Sequence, residues 1–343
     1  MKGLILCGGY GTRLQPFTFA TAKQLLPVAN KPVLSYVIRA LQKAGVNNIG
    51  IIVGDRHDEF KQISYKENFE TKITFIIQRF PLGLAHAVET ARSFIKNNDF
   101  IVALGDNIFT QKLRPAVELF YRHRADALIF LAPVKEPQRY GIAYLEDGVV
   151  KHLEEKPPFP RSNLAIMGLY IFKETIFPAI AKTRPSRRGE LEITDALQEL
   201  IKMGGKVIPY HYEGWWLDVG RPEDLLLANH KILELQSKSC FFKIAPSAHI
   251  LNSILRGPIT IGDRCLITNA VVGPYTSVGE GTKIKNACIE ESVLLKNVRI
   301  KGIKRPIKNS IIGTDTMLLL SKRDNEGCCK FLLGNKSRVE LDR

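Results

Sequence analysis

The sequence lacks the patterns that mark several protein classes. Its 6 cysteines include no Cys-x-x-Cys pair, and Cys328 and Cys329 are adjacent, so neither a zinc site nor a disulfide framework is predicted. No apolar run approaches the ~20 residues that a membrane-spanning helix needs. Met1 and Lys2 lead directly into a strand-like run that has no signal-peptide pattern. We therefore expect a soluble, cytoplasmic protein with reduced cysteines and no membrane partner.

Positive charge is in excess but is not concentrated. The chain has 49 Lys and Arg against 34 Asp and Glu, a formal net charge of +15. Residues 238–343 hold 18 basic residues against 9 acidic ones, yet no block of like charge or aromatic-basic alternation occurs. This favours a solvated basic surface and predicts no nucleic-acid partner. The positive potential would still attract anionic substrates.

Two kinds of apolar segment alternate over the first two thirds of the chain. Short unbroken apolar runs predict buried strands, and segments with helical spacing separate them. Strands are predicted at 4–6, 49–53, 73–77, 100–104 and 127–134, a hairpin at 142–153, and helices at 33–44, 84–95, 115–124, 192–203 and 222–236. This order predicts right-handed crossovers and a mainly parallel sheet. For 343 residues we expect two domains, 1–237 and 247–343.

A glycine-rich loop follows the first predicted strand. Gly8, Gly9 and Gly11 lie where open α/β sheets bind ligands, and glycines let backbone N–H groups approach phosphate oxygens. Arg13 and Lys23 add two cations for the phosphate charge. A P-loop is excluded because Lys23 is followed by Gln24, and a dinucleotide fingerprint lacks its third glycine. The loop predicts a nucleotide site; a tight turn with solvated basic residues is the alternative.

Two aspartates are candidate metal ligands. Asp106 follows the predicted strand 100–104 and should lie at the same sheet edge as the glycine loop. Asp218 lies in an apolar segment, where its charge needs a partner; the alternative is a capping or turn aspartate before the helix at Pro222. Mg²⁺ prefers oxygen ligands, a few carboxylates and substrate phosphates. The two aspartates together therefore favour a Mg²⁺ site.

Two further segments suit the organic parts of a substrate. The amide of Gln78 offers a donor beside an acceptor, which matches the Watson–Crick edge of thymine or uracil. Glu155 and Lys156 place an anion beside a cation at a strand end, which suits a sugar hydroxyl and a sugar phosphate. An ordinary crossover loop and a solvated ion pair are the respective alternatives.

The motifs together resemble those of the glucose 1-phosphate thymidylyltransferases over essentially all of residues 1–236. The resemblance implies a Rossmann-like nucleotidyltransferase domain. The matching segments include Gly8–Leu14, Lys23–Pro27, Gln78–Ala85, Leu104–Asn107, Arg139–Gly141, Leu153–Pro157, Arg188–Asp195 and Trp216–Asp218.

This resemblance implies a role for each candidate site residue. Asp106 and Asp218 would bind the metal. Arg13 and Lys23 would stabilise the triphosphate and the transition state of the reaction. Lys156 would bind the sugar phosphate. The nucleotide would be bound by Gly8, Gly9, Gly11, Thr12, Gln78, Pro81 and Gly83. Glucose 1-phosphate would be bound by Asn107, Tyr140, Gly141, Glu155 and Lys156.

About a hundred residues follow the part that resembles the short forms of this family. Apolar residues recur at hexapeptide spacing through residues 247–313, with apolar-Gly pairs and polar turns between them. Short-period self-similarity of this kind predicts a solenoid, here a short left-handed β-helix, as in the longer members of the family. His249, at the entrance, could suggest acyl transfer. We favour a structural or oligomerisation role and expect a homo-oligomer.

The predicted reaction is in-line attack of a phosphate oxygen of glucose 1-phosphate on the α-phosphorus of dTTP, giving dTDP-glucose and pyrophosphate. Two alternatives stay open. A uridylyltransferase that makes UDP-glucose would use the same pyrimidine edge, and a non-catalytic regulatory or scaffold subunit could have the same two domains.

Overall fold

The computed structural model describes residues 1–67, 69–303, 305–320 and 331–341; Cys328 and Cys329 lie outside these ranges. The chain forms two compact units. The first unit contains Met1–Gly9 and Leu34–Trp216, and the second contains Tyr10–Val33 and Leu217–Arg343. The glycine-rich loop is thus divided at Gly9. The domain bounds 1–237 and 247–343 remain a prediction.

The helices and strands follow the predicted alternation over residues 1–237. The helices are α1 (Val33–Lys43), α2 (His57–Lys66), α3 (Leu84–Thr90), α4 (Arg92–Ile95), α5 (Arg114–Arg122), α6 (Ile176–Lys182), α7 (Ile193–Lys202) and α8 (Pro222–Ser237). The strands are β1 (Lys2–Leu6), β2 (Pro27–Val28), β3 (Lys31–Pro32), β4 (Asn48–Val53), β5 (Lys72–Ile77), β6 (Phe100–Leu104), β7 (Asn107–Phe109), β8 (Ala127–Pro133), β9 (Gly141–Glu146), β10 (Val149–Glu155), β11 (Leu164–Phe172), β12 (Val207–His211) and β13 (Trp216–Asp218).

The first unit is built on a nine-stranded sheet in the order β10-β9-β11-β6-β1-β4-β5, with β8 beside β11 and β12 beside β8. Strand β1 is parallel to both neighbours, with Leu6 opposite Leu104 of β6 and opposite Ile52 of β4. Of these nine strands, β10 and β11 run against the other seven. The Rossmann-like α/β class with a mainly parallel sheet is confirmed. The carboxyl ends of β1 and β6 meet at one edge.

The buried strand β11 is the main feature of this sheet that the sequence pattern did not predict. Its apolar run lies antiparallel between β6 and β8, and its register shifts between Ile166 and Tyr170. Gly168, at φ 67°, lies within this shift, and its backbone packs directly on Leu104. Only glycine combines that φ with so close an approach. One predicted helix, 84–95, is divided into α3 and α4 at Ala91.

The second unit contains a solenoid of short parallel strands. They are β14 (Phe242–Ile244), β15 (His249–Leu251), β16 (Ile254–Leu255), β17 (Ile259–Ile261), β18 (Leu266–Thr268), β19 (Val271–Val272), β20 (Thr276–Val278), β21 (Lys283–Lys285), β22 (Cys288–Glu290), β23 (Val293–Leu294), β24 (Arg299–Lys301), β25 (Ile307–Lys308), β26 (Ile311–Ile312), β27 (Met317–Leu320), β28 (Leu332–Leu333) and β29 (Arg338–Leu341).

Three parallel sheets run along the solenoid, as the predicted left-handed β-helix requires. Ile267 is opposite Ile250 on one side and Ile284 on the other, so each coil takes about 17 residues, close to three hexapeptides. The inward side chains form one apolar core that includes Ile267, Ile284 and Ile300. The β-helix prediction is confirmed, and His249 starts a strand of its first coil.

None of the helices in the described ranges is long and apolar enough to cross a membrane.

Candidate active site

Gly8, two residues after β1, packs directly on a glutamine amide. Gln78 follows β5 and is only 5% exposed. A Cβ built on Gly8 would lie 2.7 Å from Oε1 of Gln78, so an alanine there would displace the amide. Gly8 therefore allows the Gln78 amide to approach the backbone closely, independently of any contact with a phosphate.

The same amide is held from its other side by His86. Nε2 of Gln78 lies 2.8 Å from Nδ1 of His86, in the first turn of α3. Since an amide nitrogen only donates, Nδ1 accepts and the ring proton is on Nε2. The amide is thereby fixed with Oε1 on the side of Gly8 and Nε2 on the side of His86. Sequence reasoning missed His86; its position eight residues after Gln78, in the first turn of the following helix, was the available signal.

The loop between Gln78 and α3 is anchored at Leu191. The backbone N–H of Leu191 donates to Leu82 O at 2.7 Å, and the N–H of Ala85 donates to Leu191 O at 3.0 Å. Gly83 has φ 106°, and a Cβ there would lie 2.5 Å from the Leu191 carbonyl oxygen. Gly83 can therefore only be glycine, while Pro81 lies on the exposed part of the loop.

Asp106 and Asn107 follow β6 and are both buried. Nδ2 of Asn107 donates to Oδ1 of Asp106 at 3.0 Å, and the indole N–H of Trp216 donates to Oδ1 of Asn107. The Asp106 carboxylate is thereby oriented by its neighbour at the carboxyl edge of the sheet. Within the described ranges no group of three or more His, Cys, Asp or Glu forms a metal cluster, so a cation here would depend on few protein ligands.

Glu155 is the centre of a charged network at the end of β10. Its Oε1 lies 3.3 Å from Nζ of Lys156 and 3.6 Å from Nη2 of Arg188, and Oγ1 of Thr194 donates to its Oε2 at 3.1 Å. Burial, with repulsion from Glu192, raises the pKa of Glu155 although Lys156 lies beside it. This carboxylate is costly to keep charged, which is common for groups that bind a ligand.

The residues around Glu155 include most of the predicted sugar-phosphate set. A Cβ on Gly141 would lie 3.0 Å from Oε2 of Glu155, so this glycine leaves space for the carboxylate. Lys156 has φ 45°, and its N–H donates to Tyr140 O at 3.0 Å. The Tyr140 ring lies 5.5 Å from that of Trp216, which in turn holds Asn107. Gly141 and Lys156 thus adjoin Glu155, and Tyr140 and Asn107 are linked to them through a backbone bond and Trp216. Arg188 and Thr194 had no predicted role.

In the second unit, Gly11, Lys23 and Arg13 lie on one tightly folded loop. Gly11 has φ 68°, and a Cβ there would lie 3.1 Å from Cβ of Lys23. Oγ1 of Thr18 donates to Gly11 O at 2.8 Å. Thr12 and Arg13 form a 3-10 turn with the buried Leu14, so both side chains are held at the surface.

Asp218 lies beside Arg13 at Gly220. A Cβ on Gly220 would lie 3.3 Å from Nη2 of Arg13 and 3.6 Å from Oδ2 of Asp218. The cap of α8 is made by Asp224, whose Oδ2 accepts from the N–H of Arg221 at 2.8 Å and of Gly220 at 3.2 Å. Asp224 therefore caps α8, while the carbonyl of Asp218 accepts from the N–H of Gly220 at 3.0 Å in a turn before this helix. The metal and turn interpretations of Asp218 both stay open.

The motifs and this geometry agree with what comparison with known proteins finds. The pattern of the nucleotidyl transferase family matches residues 2–235. The chain belongs to this family. It is 40% identical to a glucose-1-phosphate thymidylyltransferase of Streptomyces griseus over 99% of both chains. It is 42% identical to the low-salt glycan biosynthesis nucleotidyltransferase Agl11 of Haloferax volcanii, over 91% of this chain and 92% of that protein.

A solved structure extends the comparison to the fold of this nucleotidyl transferase. A Bacillus anthracis protein assigned as a glucose-1-phosphate thymidylyltransferase, in complex with sucrose, has a TM-score of 0.62 and 36% sequence identity. The match covers 67% of this chain and 94% of that one. The predicted resemblance is confirmed. The roles of the individual site residues stay predictions.

Proposed function

We propose that this nucleotidyl transferase transfers a thymidylyl group from dTTP to glucose 1-phosphate and releases pyrophosphate. The observation that carries the proposal is the 40% identity with the Streptomyces griseus enzyme over 99% of both chains. The buried, fixed amide of Gln78 supports it, since a donor beside an acceptor matches the N3–H and a carbonyl oxygen of a thymine edge.

The proposed mechanism needs no protein nucleophile. The phosphate of glucose 1-phosphate is already an anion, and its oxygen attacks the α-phosphorus in line while pyrophosphate leaves. Arg13 and Lys23 offset the charge that grows on the phosphate oxygens, and backbone N–H groups at Gly8, Gly9 and Gly11 can bind those oxygens. The rate then depends on position and electrostatics.

We assign Asp106 and Asp218 as the carboxylates that would hold Mg²⁺. Both supply only hard oxygen ligands, and a site with few carboxylates and several phosphate oxygens is the kind that Mg²⁺ prefers. When bound, the ion would supply positive charge where negative charge accumulates during transfer. Asn107 keeps the Asp106 carboxylate oriented through its 3.0 Å hydrogen bond.

Glu155 and Lys156 are assigned to glucose 1-phosphate, the anion accepting from a sugar hydroxyl and the cation binding the phosphate. Glu155→Gln should raise the KM for glucose 1-phosphate at least about 10-fold, because a charged acceptor binds a hydroxyl more strongly than an amide does. The melting temperature of Glu155→Gln, compared with that of wild type, provides a second measurement.

The pKa of Glu155 is higher in the folded protein than its ordinary value of 4.5 in the unfolded chain. The stability that protonated Glu155 contributes is therefore fully present below pH 4.5, and the folded protein loses it as the pH rises through the folded-state pKa. Glu155→Gln should therefore melt no lower than wild type at pH 7.5, and any gain should shrink toward pH 4.5. Glu146→Gln, at the exposed end of β9, is the control. Unchanged KM in Glu155→Gln would remove Glu155 from the sugar site.

His86 is expected to set the base-reading geometry of Gln78. His86→Phe should raise the KM for dTTP about 3- to 10-fold, because the amide loses the acceptor that fixes it. His86→Asn should recover most of this, since Oδ1 can stand where Nδ1 was. His123→Phe, on the exposed end of α5, is the matched control. Equal dTTP kinetics in His86→Phe and wild type would contradict the assignment.

A substrate panel tests the proposed function and its rivals together. Pyrophosphate release is measured with dTTP, UTP, ATP and GTP against the 1-phosphates of glucose, galactose, mannose and N-acetylglucosamine. We expect dTTP with glucose 1-phosphate to be best and UTP slower, since one methyl contributes ~1–3 kcal/mol. Preference for UTP would favour the uridylyltransferase, preference for a purine would exclude both, and no release with any pair would favour a regulatory subunit.

A further inference from the structure

One buried side chain joins three segments of the second unit. Asn229 of α8 is 1% exposed. Its Oδ1 accepts from the backbone N–H of Ala29 at 3.0 Å and from Oγ of Ser277 at 2.5 Å, and its Nδ2 donates to Tyr275 O at 3.1 Å. The segment before α1, helix α8 and the solenoid strand β20 therefore meet at a single amide.

The segment that Asn229 holds is a two-residue hairpin between β2 and β3. Its turn residues, Ala29 at φ 48° and Asn30 at φ 60°, are both in the left-handed region. That conformation costs a non-glycine residue ~1 kcal/mol or more, so outside contacts help to hold it. Nδ2 of Asn30 supplies a second one, donating to Val278 O of the solenoid at 2.7 Å.

Backbone hydrogen bonds connect this hairpin closely to Lys23. The 3-10 turn Lys23–Leu25 leads into it, with the N–H of Leu26 donating to Lys23 O at 3.2 Å and that of Val33 donating to Leu26 O at 3.1 Å. Leu26 and Val28 are fully buried. A displacement of the turn would therefore move the backbone of Lys23.

The start of the same loop also touches the solenoid. A Cβ built on Gly334, next to β28, would lie 3.0 Å from Cβ of Pro16, three residues after Arg13. This segment thus contacts the solenoid at Pro16, three residues after Arg13, and at Asn30, seven residues after Lys23.

We propose that the solenoid positions the phosphate-binding loop, with Asn229 and Asn30 as positioning residues for Lys23. The inference rests on the proposed function and gives the solenoid a part in catalysis beyond structure or oligomerisation. Hydrogen bonds are directional, so the bonds from Ala29 to Asn229 and from Asn30 to Val278 restrict the conformation of the turn. Because transfer depends on charge placed to within a fraction of an ångström, loosening the turn should lower kcat.

The test uses Asn30→Gly in the full chain. Glycine accepts φ 60° without strain, so the change removes the link to Val278 and leaves the turn possible. The control is Asn252→Gly, the same substitution at φ 46° in an exposed turn of the first solenoid coil. We expect kcat to fall about 5- to 20-fold in Asn30→Gly, with KM for dTTP changed less than about 2-fold, and the control to match wild type.

A double-mutant cycle with Lys23→Ala separates positioning from general stability. If Asn30 acts through Lys23, its effect on kcat should largely disappear once Lys23 is an alanine. Asn229→Ala should behave like Asn30→Gly where it folds, and Ser277→Ala, which leaves the bond to Ala29, more mildly. The proposal is overturned if Asn30→Gly matches Asn252→Gly in kcat, or if its loss of kcat is undiminished in the Lys23→Ala background.

The wild-type assay keeps this inference apart from the proposed function. Absence of pyrophosphate release by the wild type with dTTP and glucose 1-phosphate would defeat the function itself. Normal wild-type turnover with unaffected hairpin variants would defeat only the positioning role.

Discussion

Asp218→Asn should lower kcat at least about 100-fold while leaving the melting temperature within a few degrees of wild type. A neutral amide is a poor Mg²⁺ ligand, and the ligand is needed where the reaction concentrates negative charge. The fold should tolerate the change, since the cap of α8 is made by Asp224 and the two side chains have nearly the same shape. Pyrophosphate release at increasing Mg²⁺ measures the effect.

Asp224→Ala is the matched control, because it removes a carboxylate six residues away that has a structural role. Losing this acceptor from the start of α8 should cost ~1 kcal/mol of stability and leave kcat within about 2-fold. Asp218→Asn should thus lower activity and spare stability, whereas Asp224→Ala should lower stability and spare activity. Recovery of near-normal turnover by Asp218→Asn at saturating Mg²⁺ would remove Asp218 from the metal site.

The sequence pattern predicted those parts of the fold that are determined by residues close together in the chain. Strands β1, β4 and β6 are unbroken apolar runs, and because they are parallel neighbours their carboxyl ends had to share an edge. That reasoning from pattern alone is enough to place Gly8 and Asp106 on one edge of the sheet. The hexapeptide period predicted the solenoid for the same reason, since each coil repeats one local unit.

The side-chain partners of the site residues could not be predicted in this way. Asn229 bonds to Ala29 across 200 positions and to Ser277 across 48, and no periodicity links them. Arg188 stood out only as part of a motif, yet it contacts Glu155 and Glu192. The antiparallel placement of β11 also depends on distant segments, because an unbroken apolar run does not show whether a strand will be parallel or antiparallel to its neighbours.

Arg13→Ala is expected to have the other large effect, a fall in kcat of about 100- to 1,000-fold with a smaller change in the KM for glucose 1-phosphate. The guanidinium is exposed on a turn anchored by the fully buried Leu14, so its removal should cost little stability. Its proposed partner charge grows as the transition state forms, and an interaction that strengthens at that point lowers the barrier more than it improves binding.

Two controls make the Arg13 experiment decisive. Arg13→Lys keeps the charge but not the planar fork of donors, so it should recover part of kcat and not all of it. Arg114→Ala removes an exposed arginine from α5 that forms a solvent-exposed ion pair with Glu118, and it should leave kcat unchanged. If Arg13→Ala instead raised only the KM for glucose 1-phosphate, Arg13 would be a ground-state binding residue, and stabilisation of the transition state would fall to Lys23.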